Sequence, residues 1–203
     1  MKKITILFAV IACIAITSFL QRSIFAQSSS TARVRVGNPA ILASSCPIPN
    51  GVVTCGSKFT AAQNGCGHCG AGYGASRWCT GPEAYEAINY SIDIGGAWGQ
   101  ETFLPMVKGN VVSWTRLSPI TGTDQEIQRY AGTDTTTGEQ YYIQFHHTIK
   151  GSAPEGTRLS GEHASNICNN CSGVSGPHVH IEFGSSGASG TQWLDAPLYF
   201  CQK

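Results

Sequence analysis

From about residue 81 to the end, the hydrophobic positions of this chain come in short bursts set apart by turn residues. The bursts fall at 91–94, 103–107, 111–114, 140–145, 179–183 and 197–200, with Gly, Pro, Asn, Asp or Ser clustered between them, the pattern of short strands. No long segment repeats its apolar residues at the 3.6-residue period of a helix. The chain therefore reads as mainly β, an antiparallel sheet domain spanning 81–203. The small polar run 134–139 supplies a hairpin loop ahead of Tyr141. The clearest strand is Gly176-Pro177-His178-Val179-His180-Ile181-Glu182-Phe183. Because successive side chains point to opposite faces, His178, His180 and Glu182 share one face and Val179, Ile181 and Phe183 the other. By the same alternation Ile92 and Ile94 face away from Asp93, and the 141–145 segment runs directly into His146 and His147.

The first 80 residues have a different character. Met1-Lys2-Lys3 and the uncharged run 4–20 read as a signal peptide or a membrane anchor over 1–26, with Ala26 a plausible cleavage point. Val10-Ile11-Ala12-Cys13 has the form of a lipoprotein processing box, but the apolar run continues well past Cys13. Residues 27–45 are polar and rich in Ser and Ala, and read as a linker. Taking Lys2, Lys3 and Arg22 from the 13 basic residues leaves ten against 12 acidic ones, so the exported chain carries no basic patch for nucleic acid. A membrane is expected as a partner only through the N-terminal segment, if that segment is kept. The exported length can bury one good core but hardly two.

Residues 46–80 hold five cysteines among many glycines and read as a small Cys/Gly-rich module stapled by disulfides. The eight cysteines outside the leader are Cys46, Cys55, Cys66, Cys69, Cys79, Cys168, Cys171 and Cys201. An even number in an exported chain points to four disulfides, and order alone leaves all connectivities open. The two C-x-x-C pairs, Cys66 with Cys69 and Cys168 with Cys171, offer a second possibility, a four-thiolate zinc site.

Three segments together resemble the lysostaphin/LytM-type zinc endopeptidases, secreted hydrolases of peptidoglycan. Ser91-Ile92-Asp93-Ile94 is similar to their Asp motif, Phe145-His146-His147-Thr148 to their middle motif, and Gly176 onward to their Gly-Pro-His-x-His-x-Glu motif, a likeness spanning about 85–184. The resemblance implies the LytM-type fold, a zinc cofactor held by Asp93 and His180, catalytic roles for His147 and His178, and peptidoglycan peptides as partners. The chemistry is coherent, since zinc with three protein ligands and one open position acidifies water and polarises a carbonyl. One position departs: Asn89, four residues before Asp93, stands where the family has its first metal-binding histidine. An amide oxygen is a weaker zinc donor than imidazole, so zinc is expected to bind weakly or not at all unless another group takes the place. Glu86 and His68 are candidates; Glu86 has the wrong spacing, and for His68 only the fold decides. The expected function is zinc-dependent cleavage of wall peptide crosslinks or, if the site is degenerate, binding of peptidoglycan or a partner hydrolase without cleavage. His146 reads as a bystander or substrate contact, and His163 as a loop residue.

Overall fold

The structure is a computed structural model and describes residues 45–59, 66–69, 86–187 and 190–201. All of them belong to the compact unit Val36–Lys203. The strands are β1 (Val52–Cys55), β2 (Ile92–Gly95), β3 (Glu101–Phe103), β4 (Val112–Thr121), β5 (Glu126–Asp134), β6 (Gln140–Thr148), β7 (Thr157–Leu159), β8 (His163–Asn166), β9 (His178–Gly187) and β10 (Gly190–Trp193). Short 3-10 turns lie at Glu86–Tyr90 and Ala196–Leu198. The expected mainly β architecture is present, and every pairing between strands is antiparallel.

One large sheet runs in the order β1-β2-β9-β6-β5-β4-β7, with β10 continuing along the β2 side of the long strand β9. Strands β3 and β8 form a separate pair. Alternation decides what each face of the large sheet does. Ile92, Ile94, Val179, Ile181, Phe183, Phe145, Ile143 and Trp114 are completely buried on one face. Each such side chain stabilises the fold by about 1.5 to 3 kcal/mol. Leu104, Val107, Ala164 and Ile167, from and beside β3 and β8, complete this core. The covering layer also satisfies the two buried polar tips. Trp114 Nε1 donates to the carbonyl of Pro105 at 3.1 Å and Tyr130 Oη to that of Ala164 at 2.6 Å. Gly132 on β5 is required where it is, because a Cβ there would stand 2.5 Å from the Trp114 ring.

The hairpin between β5 and β6 closes as the sequence suggests. Asp134 Oδ1 accepts from the amides of Thr136 and Thr137 at 2.7 and 2.9 Å, and Gly138 takes φ +76°. Other segments differ from expectation. The bursts at 103–107 and 111–114 end and begin strands rather than filling them, and 197–200 overlaps the second 3-10 turn. Buried Ala196 and Phe200 are four apart there, a helical spacing. His163 opens β8 rather than sitting in a loop, with Nε2 3.0 Å from Asn166 Oδ1.

The beginning of the 46–80 segment is joined to the main sheet. Cys46 is bonded to Cys201, Ile48 is fully buried in the core, and β1 pairs with β2. Cys55 is bonded to Cys66 and Cys168 to Cys171, and Cys69 is also in a disulfide. Cys66 and Cys168 each have their sulfur committed to a different partner, so the four-thiolate zinc alternative is corrected by these pairings. Cys79, the 1–26 leader and linker residues 27–44 lie outside the described residues. Among the described residues no helix is long and apolar enough to cross a membrane.

Candidate metal centre

Strands β2 and β9 lie side by side with Asp93 directly opposite His180, although 87 residues separate them in the chain. Sheet register alone thus brings His180 Nδ1 to 2.9 Å from Asp93 Oδ1. His146 is opposite His180 on the other flank, in β6, so three polar side chains form a row across three strands. Glu182 lies two residues along on the same face as His180. Its Oε1 is 3.5 Å from His180 Nε2 and its Oε2 is 3.4 Å from His146 Nε2.

Strict alternation would send His147 to the opposite face from His146, into the core. Two irregularities prevent this. β5 and β6 shift register between Glu126 and Gln128, and His147 adopts the left-handed backbone at φ +59°. Its ring is then 4.9 Å from that of His178 and 6.2 Å from that of His180, and its Nδ1 is 2.8 Å from Gln125 Oε1. The four residues expected to work together, Asp93, His147, His178 and His180, are therefore found in one cluster. His178 Nε2 is 3.9 Å from Asp93 Oδ2, and its Nδ1 donates to the carbonyl of Gly176 at 3.0 Å. That bond fixes the proton on Nδ1 and leaves Nε2 free to accept one.

A further imidazole reaches Asp93 from the Cys/Gly-rich segment. His68 is only 1% exposed and brings Nε2 to 3.2 Å from Asp93 Oδ2, with its ring 4.8 Å from that of His180. It is held by the Cys55 disulfide to Cys66 and by two backbone bonds, Gly56 N to the Cys66 carbonyl and His68 N to the Gly56 carbonyl. Glu86, the other candidate, is exposed in the first 3-10 turn.

The hydrogen bonds behind His68 decide its tautomer. Ser91 Oγ has one proton and gives it to the Ile88 carbonyl at 2.8 Å, so it accepts from His68 Nδ1 at 3.1 Å. With its proton on Nδ1, His68 presents Nε2 to the carboxylate as an acceptor, an approach that a cation shared with Asp93 would bridge. Three further buried atoms, His146 Nε2, His180 Nε2 and Glu182 Oε1, have no hydrogen-bond partner among the described residues.

Electrostatics follow from this crowding. Burial pushes the Asp93 carboxyl up, but its bonds with the His180 and His68 imidazoles more than reverse this and hold it far below the usual carboxylate range. Burial likewise opposes charge on His180, and Asp93 with Glu182 outweighs it, raising His180 to about 9. Burial would raise Glu182, which its pairing with His146 and His180 instead pulls well down. His146 is pushed down, chiefly by burial. His147, buried and beside other imidazoles, falls to about 3 and is neutral over the physiological range.

The donor set fits a divalent cation. With bonds of about 2.0 to 2.2 Å, neighbouring ligand atoms of a tetrahedral site stand roughly 3.3 Å apart. The 3.2 Å and 2.9 Å separations around Asp93 are close to that but run to its two different oxygens, and by donor-atom spacing His180 groups with His146 and Glu182 while His68 groups with Asp93, so Asp93 is the link between the two groups. Two imidazoles and a carboxylate form a set that suits zinc. Cys55 Sγ also lies within 4.8 Å of the His68 and Asp93 donors, but its bond to Cys66 removes it as a thiolate ligand. Comparison of the chain with protein-family models, curated proteins and solved structures gave no match.

Sequence patterning identified Asp93, His147, His178 and His180 and offered His68 as a candidate, but gave no role to Glu182 and read His146 as a bystander or substrate contact. The signal for Glu182 was present, since it shares the His180 face. Nothing local marks Ser91 or Gln125, which act on imidazoles distant in sequence.

Proposed function

We propose that this chain is an exported zinc-dependent endopeptidase of the lysostaphin/LytM type, acting on the peptide crosslinks of peptidoglycan. The observation that carries the reading is the position of His68, whose lone pair meets the Asp93 carboxylate beside His180 and makes good the ligand lost at Asn89. His68, Asp93 and His180 would hold the cation. When bound, zinc contributes Lewis acidity toward a peptide carbonyl and brings the pKa of water near 7.

The remaining steps belong to the chain. His178 Nε2, with its partner nitrogen tied to Gly176, accepts a proton as water attacks and can return it to the leaving amine. His147, neutral and oriented by Gln125, lines the same space and offers its second ring nitrogen to the reacting groups. Glu182 takes no part in proton transfer; it stands 3.5 Å behind His180 Nε2, where a carboxylate behind a ligating histidine is usual, and balances the charge of the imidazole.

Elemental analysis of the purified chain, with loss of turbidity of purified sacculi as the activity measure, tests the reading. One zinc per chain, lost together with activity in both His68→Ala and His180→Ala, is the expected result. Sacculus binding with neither zinc nor cleavage would instead support the non-catalytic relative that Asn89 suggests. Neither binding nor zinc would dismiss both.

A further inference from the structure

The open face of the sheet continues beyond the histidines. Moving along β6 and β9 away from His146 and His180, the next row joins Gln144, Glu182 and Arg129, and the following one Tyr142, Gly184 and Ala131. Rows on one face are two residues, roughly 7 Å, apart. Arg129 leans across them, with Nε donating to Tyr142 Oη at 2.6 Å and its guanidinium carbon 5.8 Å from the Tyr142 ring centre. On the far flank Trp193 of β10 meets Tyr142 edge to face at 6.0 Å. Past this aromatic pair lies a shallow trough of about 230 Å³ whose lining includes Ser113, Thr115, Thr133, Gln140 and Ser186.

Arg129 differs from its basic neighbours in one respect. Arg116 pairs with Glu155 and Lys108 with Glu139, whereas Arg129, like Arg158 and Lys150, has no ion pair with a carboxylate among the described residues, and of these three it alone stacks beside an aromatic ring on this face. Its other contact is a 3.5 Å bond from Nη1 to the Ser118 carbonyl. It is half-buried against an aromatic ring and oriented by one nitrogen, with donors of its fork left over. A partly desolvated guanidinium is matched best by a carboxylate, which takes two parallel N–H donors and restores neutrality.

We infer that Arg129, with Tyr142 and Trp193 as its walls, is a subsite for a carboxylate of the substrate, and that the hydroxyl-lined trough receives the polar chain beyond it. The inference rests on the preceding reading that a wall peptide crosses this face. Arg129 spans one to two rows from the histidines, roughly 7 to 13 Å, and an extended peptide advances about 3.3 Å per residue. The recognised carboxylate therefore belongs to a residue two to four positions from the bond that is cut.

The test uses a soluble crosslinked wall-peptide fragment and the same fragment with its carboxylates amidated. Binding is measured by calorimetry on the full chain carrying His178→Ala, which slows cleavage, with and without Arg129→Gln or Arg129→Lys. The free fragment should bind roughly tenfold to a hundredfold more tightly than the amidated one, and Arg129→Gln should abolish the difference. Arg129→Lys keeps the charge but not the fork and should restore only part of it, which separates recognition from misfolding. In the cleaving enzyme Arg129→Gln should raise KM by a similar factor with little change in kcat. Equal binding of the two fragments, no binding of either, or an unchanged preference in Arg129→Gln would overturn the subsite. Carboxylate-selective binding without cleavage of sacculi would uphold the subsite and reject the hydrolase. Cleavage with KM unchanged in Arg129→Gln would do the reverse.

Discussion

Two kinds of structure deliver side chains to the centre, and they depend on different physics. Asp93 and His180 sit on adjacent strands whose inner faces carry Ile92, Ile94, Val179 and Ile181. Their 2.9 Å contact follows from register, and slipping β2 by one residue would turn Ile92 and Ile94 out of the core. His68 has no such strand beneath it. It is held by a disulfide, two backbone bonds and Ser91, and its approach to Asp93 is correspondingly longer, at 3.2 Å. The strand pair is fixed by the core, the loop histidine by covalent and hydrogen-bonded ties.

The largest effect should come from breaking the strand arm. His180→Ala leaves Asp93 without its main counter-charge and Glu182 without one of its two imidazole partners, at a cost of about 3 kcal/mol apart from any effect on a bound cation. Thermal melting with zinc analysis checks this, and a fully stable variant would mean that the two acids are relieved by some other group. Next comes the loop arm. Replacing both Cys55 and Cys66 by Ser opens a short loop worth about 2 to 3 kcal/mol and frees His68, lowering zinc affinity while the strand pair stays in place. Competition with a chelator measures the affinity, and unchanged binding would show that the backbone bonds alone suffice.

The smallest effect concerns the other loop contact, Gln125 to His147. Neighbouring Glu126 anchors that turn by accepting from Gly151 N, Gln128 Nε2 and Thr121 Oγ1. The bond from Gly151, followed by those from Gln128 and Thr121, outweighs burial and lowers its pKa. A lowered folded-state pKa means that its stabilisation is complete above the ordinary value near 4.5 and disappears as pH falls through the depressed one. Acid unfolding of Glu126→Gln should accordingly be flatter below pH 4.5 than that of the parent, while the two curves run parallel above it. Parallel curves throughout would remove Glu126 from the account.

Strands were readable where burial and hydrophobicity coincide. In β2, β6 and β9 the core-facing positions are mostly Ile, Val and Phe in alternation with polar groups, and the period of two is plain even though Asp93, His180 and Glu182 on the other face are buried too. β5 was missed although it is nine residues long and central. Its inward positions include Gln128, Gly132 and Asp134 besides Tyr130, so its alternation is carried by burial and not by apolar character. His147 was readable as a polar residue at a strand end. That it faces the centre together with His146 depends on a bulge and a left-handed residue that its neighbours in sequence do not announce.

The amino-acid order alone determined the β character of the chain and the common face of His178, His180 and Glu182, because alternation is a local property of an extended backbone. Only the tertiary structure decided that His68 joins that face. His68 is 25 residues from Asp93 within a glycine-rich segment, and its position follows from a particular cysteine pairing and from the donor arithmetic at Ser91, neither of which is encoded in any local pattern.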